Sequence, residues 1–169
     1  MVLLNLKFNS MKNMIKTIIG CCALTVALAL PASAQVTYFW DDFSIQITVP
    51  NDFKATKDTG TELEMKGDGM EMLMYIFADK KITTDDIDDA TKILAKDMKL
   101  GEIDEQQAFK NGDFEGYYVE GFKDGKRVML AGVVDLTSST NFFIVLTFDD
   151  TDKEAEKEAL VILNSLDHK

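Results

Sequence analysis

The chain has 169 residues, with 29 acidic and 18 basic side chains, one histidine and two cysteines, and a formal net charge of −11. An acidic surface of this kind repels phosphate, which argues against nucleic acid and anionic membranes as partners. Both cysteines, Cys21 and Cys22, sit in an apolar leader, so the rest of the chain has no thiol for catalysis, metal binding or a disulfide.

Lys12 and Lys16 precede an almost wholly apolar run from Thr17 to Leu30. Pro31 then breaks it, and Ala32-Ser33-Ala34 supplies the small residues a signal peptidase requires. The pattern predicts a signal peptide over residues 1–34, cleaved after Ala34, and one domain over 35–169. The protein is then periplasmic or secreted, with no transmembrane anchor after processing. Loss of Lys7, Lys12 and Lys16 takes the net charge from −11 to −14. Ile18-Ile19-Gly20-Cys21 resembles a lipobox, which makes a lipoprotein anchored at Cys21 the alternative. Only four residues separate Lys16 from Cys21, however, against an apolar region of about 7–15 in signal peptides. Cleavage after Ala34 is the preferred reading.

In the first half of the domain, Phe43, Ile45, Ile47 and Val49 alternate with polar residues and mark a half-buried strand that ends at Pro50-Asn51-Asp52. Thr61–Lys66 and Met70–Phe77 flank Gly67-Asp68-Gly69 as a hairpin. Thr83 or Thr84 then caps a helix whose apolar face is Ile87, Ala90, Leu94 and Met98, and Gly101 stops it.

Four strands are predicted next: Ile103–Phe109, Phe114–Phe122, Arg127–Leu136 and Asn141–Phe148. Asn111-Gly112, Asp124-Gly125 and Thr137-Ser138-Ser139-Thr140 supply the turns. A closing helix spans about Asp152–Leu166, with Thr151 and Glu154 at capping-box spacing and Ala155, Ala159, Ile162, Leu163 and Leu166 on its buried side. The order βββ-α-ββββ-α predicts an α+β fold, a mainly antiparallel sheet of about seven strands carrying two amphipathic helices.

The run Phe43-Ser44-Ile45-Gln46-Ile47-Thr48-Val49-Pro50-Asn51-Asp52-Phe53 resembles the opening of PsbP-like (Mog/PsbP-type) domains, and Ile162-Leu163-Asn164-Ser165-Leu166 is similar to their final helix. The resemblance covers nearly the whole domain as element order. It implies a sheet flanked by helices in a family of extrinsic binding and accessory proteins, and it carries over no site residue.

Chemistry-bearing motifs are few. Met65, Met70, Met72 and Met74 carry thioethers that suit Cu(I), but period-2 spacing puts the last three on one strand face with Ile76, where methionine fills a core. Asp149-Asp150-Thr151-Asp152-Lys153-Glu154 alternates oxygen ligands as a calcium loop would. Counted from Asp150, though, the sixth and twelfth positions hold Ala155 and Val161 in place of glycine and glutamate. This cluster and Asp85, Asp86, Asp88 and Asp89 sit at helix starts, where carboxylates cap. No catalytic residue, metal ligand or cofactor is predicted, and His168 is expected to be solvent-exposed near the chain end.

The remaining candidates are aromatic. Tyr38, Phe39 and Trp40 are candidate binding residues for a sugar or partner ledge, with Tyr117, Tyr118 and Phe122 adding to it across a sheet. Burial of the rings at 38–40 against the core is the preferred alternative. The functional reading is a small, acidic, non-catalytic binding or accessory protein that engages a protein partner. The alternative is a small ligand or divalent cation, and a carboxylate-dependent hydrolase ranks last.

Overall fold

Alternation of apolar and polar side chains builds two antiparallel sheets. The computed structural model describes residues 34–79 and 81–169. The expected signal peptide and Cys21 fall outside these residues. In chain order the elements are β1 (Gln35–Trp40), β2 (Ile45–Pro50), β3 (Lys54–Asp58), β4 (Glu62–Lys66), β5 (Met70–Ala78), α1 (Thr84–Asp97), β6 (Gln107–Asn111), β7 (Phe114–Lys123), β8 (Lys126–Asp135), β9 (Thr140–Phe148), α2 (Lys153–Leu163) and β10 (Asp167–His168). Residues Asp41–Phe43 form a 3-10 turn.

Seven strands in the order β3-β4-β5-β9-β8-β7-β6 form the main sheet, and β1-β2-β10 form a small one. All neighbouring strands are antiparallel. The expected α+β class, with a seven-stranded antiparallel sheet and two helices, is what forms. The strand expected from Phe43 lies outside the main sheet, however. It begins at Ile45, after Ser44 turns the chain in the left-handed region (φ 55°), and pairs with β1 and β10. The main sheet reaches seven strands because β3, missed in the sequence, takes its place.

A second correction concerns β6, expected over Ile103–Phe109 and observed over Gln107–Asn111. Gly101 bridges Phe122, and Asp104 N–H donates to Glu120 O, so the chain already runs beside β7. Its register slips before Gln107 meets Tyr118, and a slipping register cannot hold a regular ladder.

The inner face of the main sheet carries the larger core. Met70, Met72, Met74 and Ile76 of β5 pack there with Leu63, Met65, Phe114, Phe142, Ile144, Leu146 and Phe148. The small sheet adds Trp40, Ile45, Ile47 and Val49, and α2 adds Ala155, Ala159, Ile162 and Leu163, with Leu166 just beyond it. Every methionine of the suspected copper face is at most 3 % exposed, which fits the packing reading.

Helix α1 lies on the outer face, over β7 and β8. Thr83 caps it in a reciprocal box with Asp86, and the Thr83 hydrogen bonds hold the Asp86 carboxyl below its usual range. Its fully buried line is Ile87, Thr91 and Ala95, one step round from the expected Ile87, Ala90, Leu94 and Met98. The shift follows from Gly132 on β8, where a Cβ would collide with Thr91 Oγ1 and sit 2.8 Å from Ile87 Cγ1. Glycine lets the helix settle there, and Thr91 answers its own burial by donating to Ile87 O at 2.7 Å.

The final helix starts one residue later than the expected Thr151–Glu154 box implies. Asp152 is the cap, accepting from Glu154 N–H and Ala155 N–H. Thr151 instead closes a turn on Asp149. After α2, Ser165 Oγ accepts from Thr48 N–H at 2.8 Å and lies 3.2 Å from Thr48 O, and the chain ends as β10.

Candidate functional site

The expected aromatic ledge does not assemble on one surface. Trp40 is 2 % exposed, in edge contact with Phe43 at 4.9 Å between centroids. Tyr38 is half-buried and donates to Asp58 Oδ2 at 2.6 Å. Burial, and then Asp58 beside it, push its phenol up to about 12. Phe39 points to the opposite face of the small sheet, 45 % exposed, with Lys169 Nζ 5.3 Å from its ring centre. Tyr117 and Tyr118 are neighbours on β7 and so face opposite sides of the main sheet. Tyr118 packs toward the inner core and donates to Gln107 Oε1, while Tyr117 lies with Thr84 and Ala108 along the α1 side.

The acidic clusters are engaged in structure. Asp149 accepts from Thr151, which lowers its pKa, Asp150 accepts from Arg127 Nε at 2.9 Å, and Asp152 caps α2. Arg127, the chain's sole arginine, also reaches Glu120 at 2.9 Å and stacks over Phe122 at 4.8 Å. Its carboxylate neighbours hold its charge firmly. Among the described residues, no group of three or more His, Asp or Glu side chains is placed to hold a metal ion.

His168, expected to be exposed, is held in place instead. Strand β10 pairs with β2, and the imidazole stacks 4.7 Å from the Phe114 ring. Its Nε2 lies 3.3 Å from Asp135 Oδ1 and 3.0 Å from Thr137 Oγ1. The sequence placed the histidine near a fraying terminus, but strand pairing and ring stacking tie that terminus down. Both oxygens meet the same ring nitrogen. A serine- or threonine-type relay needs the carboxylate on one nitrogen and the hydroxyl on the other, so this cluster is an anchor and not a triad.

What remains open is the outer face of β5 and β9. Cross-strand register lines up Glu64, Leu73, Val145, Leu130 and Val119 in one row, and Glu62, Tyr75, Phe143, Gly132 and Tyr117 in the next. Helix α1 covers the β7–β8 end of these rows. A helix is about 10 Å across and strands are about 4.8 Å apart, so one helix shields roughly two strands. Phe143 and Val145 pack against the edge of the cluster under α1, and Leu73, Tyr75 and Phe77 continue the apolar rows beyond it. Tyr75 is 46 % exposed, and the Phe77 and Phe143 rings meet at 5.3 Å.

Charged pairs rim this face, Lys57 with Glu62 and Glu64, and Lys66 with Glu71. A shallow depression of about 220 Å³ lies on it between Leu73, Val145, Thr56 and Thr147. An apolar centre with a charged rim is how protein-binding patches are built. The sequence reading missed this surface. Its signal was β5 itself, apolar at Leu73, Tyr75 and Phe77 as well as on the methionine face. A strand apolar on both sides calls for cover on both sides.

No protein-family model matches the chain, and no curated protein does. Solved structures do. The Ran-binding protein Mog1p of Saccharomyces cerevisiae superposes with a TM-score of 0.53 at 9% identity, over 81% of this chain and 96% of that one. A point mutant of Mog1 gives a TM-score of 0.53 at 10% identity, over 80% of this chain and 96% of that one. A protein of Bacteroides thetaiotaomicron gives a TM-score of 0.53 at 12% identity, over 81% of this chain but 49% of that one. At these identities the likeness is one of fold. The chain has the Mog1/PsbP-like fold that its opening strand and closing helix resemble.

Proposed function

We propose that this protein is a non-catalytic binding or accessory module that engages a protein partner through the outer face of β5 and β9. The observation that carries the reading is the apolar row that runs on beside α1, where Leu73, Phe77, Phe143 and Val145 are half-buried and Tyr75 is 46 % exposed at its centre. Tyrosine offers broad contact area at low entropic cost, and an apolar patch ringed by ion pairs suits a partner surface better than a small molecule. The fold is shared with a protein whose own description is Ran-binding, which supports a binding role without naming a partner here. We place the module outside the cytoplasm, on the strength of the leader and the absence of thiols after it.

A photo-reactive phenylalanine analogue introduced at Tyr75, and separately at Val161 on α2 (44 % exposed), tests the reading in cells of the source organism. The expected result is a discrete protein adduct from position 75 and none from 161. Equal labelling at both positions, or no adduct at either, would overturn it.

A further inference from the structure

Most sheet edges in this molecule are defended against pairing. Strand β3 carries Lys54 and Lys57 and a register break between Ala55 and Lys57. Strand β6 carries Lys110, and β10 is two residues long and is followed at once by Lys169. Lysines, bulges and short strands are the devices that keep edges single. Strand β1 has none of them. It reads Gln-Val-Thr-Tyr-Phe-Trp, six residues without a charge, a proline or a glycine, in a chain of net charge −11.

Its free edge can be assigned residue by residue. Asn51 N–H donates to Ala34 O, and these residues extend the β1–β2 register by one pair. Hydrogen-bonded pairs alternate in an antiparallel ladder, so Val36, Tyr38 and Trp40 turn their backbone groups toward β2. Gln35, Thr37 and Phe39 turn theirs away. The partner side agrees: Thr48, opposite Thr37, turns its N–H and C=O to Ser165 Oγ on the far side of β2. Among the described residues no backbone bond is made by the outward groups of Gln35, Thr37 or Phe39. Val36 and Phe39 are 46 % and 45 % exposed.

We propose that two copies of this chain pair antiparallel along β1, across a two-fold axis at Thr37. Thr37 then lies opposite the partner's Thr37, and Gln35 opposite the partner's Phe39. All the outward groups belong to odd-numbered residues, so this one register satisfies them together. The Thr37–Thr48 hydroxyl contact, 3.3 Å in one copy, becomes a continuous threonine row across both. On the inner face Val36 packs beside the partner's Tyr38. A second copy fits this edge because an uncharged strand meets an uncharged strand, whereas most other surfaces of two acidic chains repel. The contact is small, so the dimer forms with a Kd on the order of micromolar or weaker. Added salt tightens it by screening the net charge, the opposite of what salt does to a contact with a basic partner. This edge is separate from the outer face of β5 and β9, so the two readings stand or fall independently.

Sedimentation of the self-contained unit Ala34–Lys169 tests the pairing. The expected result is a monomer–dimer equilibrium that strengthens with salt. Thr37→Pro removes one outward N–H without touching the β1–β2 ladder and should weaken the dimer at least tenfold, as should Thr37→Lys. Thr37→Cys places two thiols about 5.5 Å apart by Cα across the axis, within disulfide reach. In this cysteine-free unit it should oxidise to a covalent dimer far faster than Thr56→Cys on defended β3. A wild type that stays monomeric up to about 1 mM, a dimer unaffected by both Thr37→Pro and Thr37→Lys, or equal oxidation of the two cysteine variants would overturn the proposal.

Discussion

His168 Nε2 lies 3.3 Å from Asp135 Oδ1, so the chain's single histidine closes the C-terminus onto a carboxylate only 2 % exposed. Asp135 also accepts from Thr137 N–H, Ser138 N–H and both of their hydroxyls. Burial alone would raise its pKa. The bonds from Ser138 and Thr137, with His168 beside them, outweigh that and hold it below the usual carboxylate value. A depressed folded pKa gives stability that is full above the unfolded value of about 4 and lost as pH falls through the folded one. Asp135→Asn is therefore expected to cost about 1–3 kcal/mol at neutral pH. Its deficit against wild type should shrink as the medium is acidified below about pH 4. Urea denaturation across a pH series measures both effects.

Met74 is fully buried between the two sheets. Met74→Ala is expected to lose about 2–5 kcal/mol through the cavity it leaves, while Met74→Leu stays within about 1.5 kcal/mol because volume is conserved. Denaturant midpoints separate the two. If the thioether were serving as a ligand, the leucine variant would lose Cu(I) binding seen in wild type. Burial predicts no Cu(I) uptake by either protein in a competition titration.

Gly132 sets how closely α1 approaches the sheet, since any Cβ there meets Thr91 and Ile87. Gly132→Ala should cost about 1–3 kcal/mol by overpacking. Thr91→Ala in the same chain should return part of that loss, because it removes the hydroxyl the new methyl would strike. A double-mutant cycle by thermal unfolding reads the coupling. Additive costs would mean that the helix adjusts elsewhere.

Much of the fold was legible because its strands obey a period of two and its turns carry their own chemistry. Asp124-Gly125 has both residues in the left-handed region, φ 51° and 78°, as a two-residue hairpin turn requires. The methionine stripe and the buried side of α2 were equally readable. Strand β3 was not, since all five of its residues are exposed and nothing in Lys-Ala-Thr-Lys-Asp alternates. Strand β10 is too short to leave a pattern and exists only because β2 offers an edge. For the candidate surface, Leu73, Tyr75 and Phe77 were visible as apolar residues, but Phe143 and Val145 lie on a strand about seventy residues away that only sheet pairing brings alongside.

Sequence alone determined the class of the domain, the identity of its core strands and the thin supply of catalytic parts. These follow from local periodicity and from which side chains are present. Tertiary structure decided which apolar residues stay uncovered. The sheet is seven strands wide and one helix shields about two of them, so how far the outer rows of β5 and β9 are covered depends on where α1 docks. That position is set by a glycine on β8 and a threonine on the helix, two residues whose meeting no local pattern records. The same holds for β1, whose uncharged residues read as a docked aromatic segment until pairing with β2 turned half of its backbone outward.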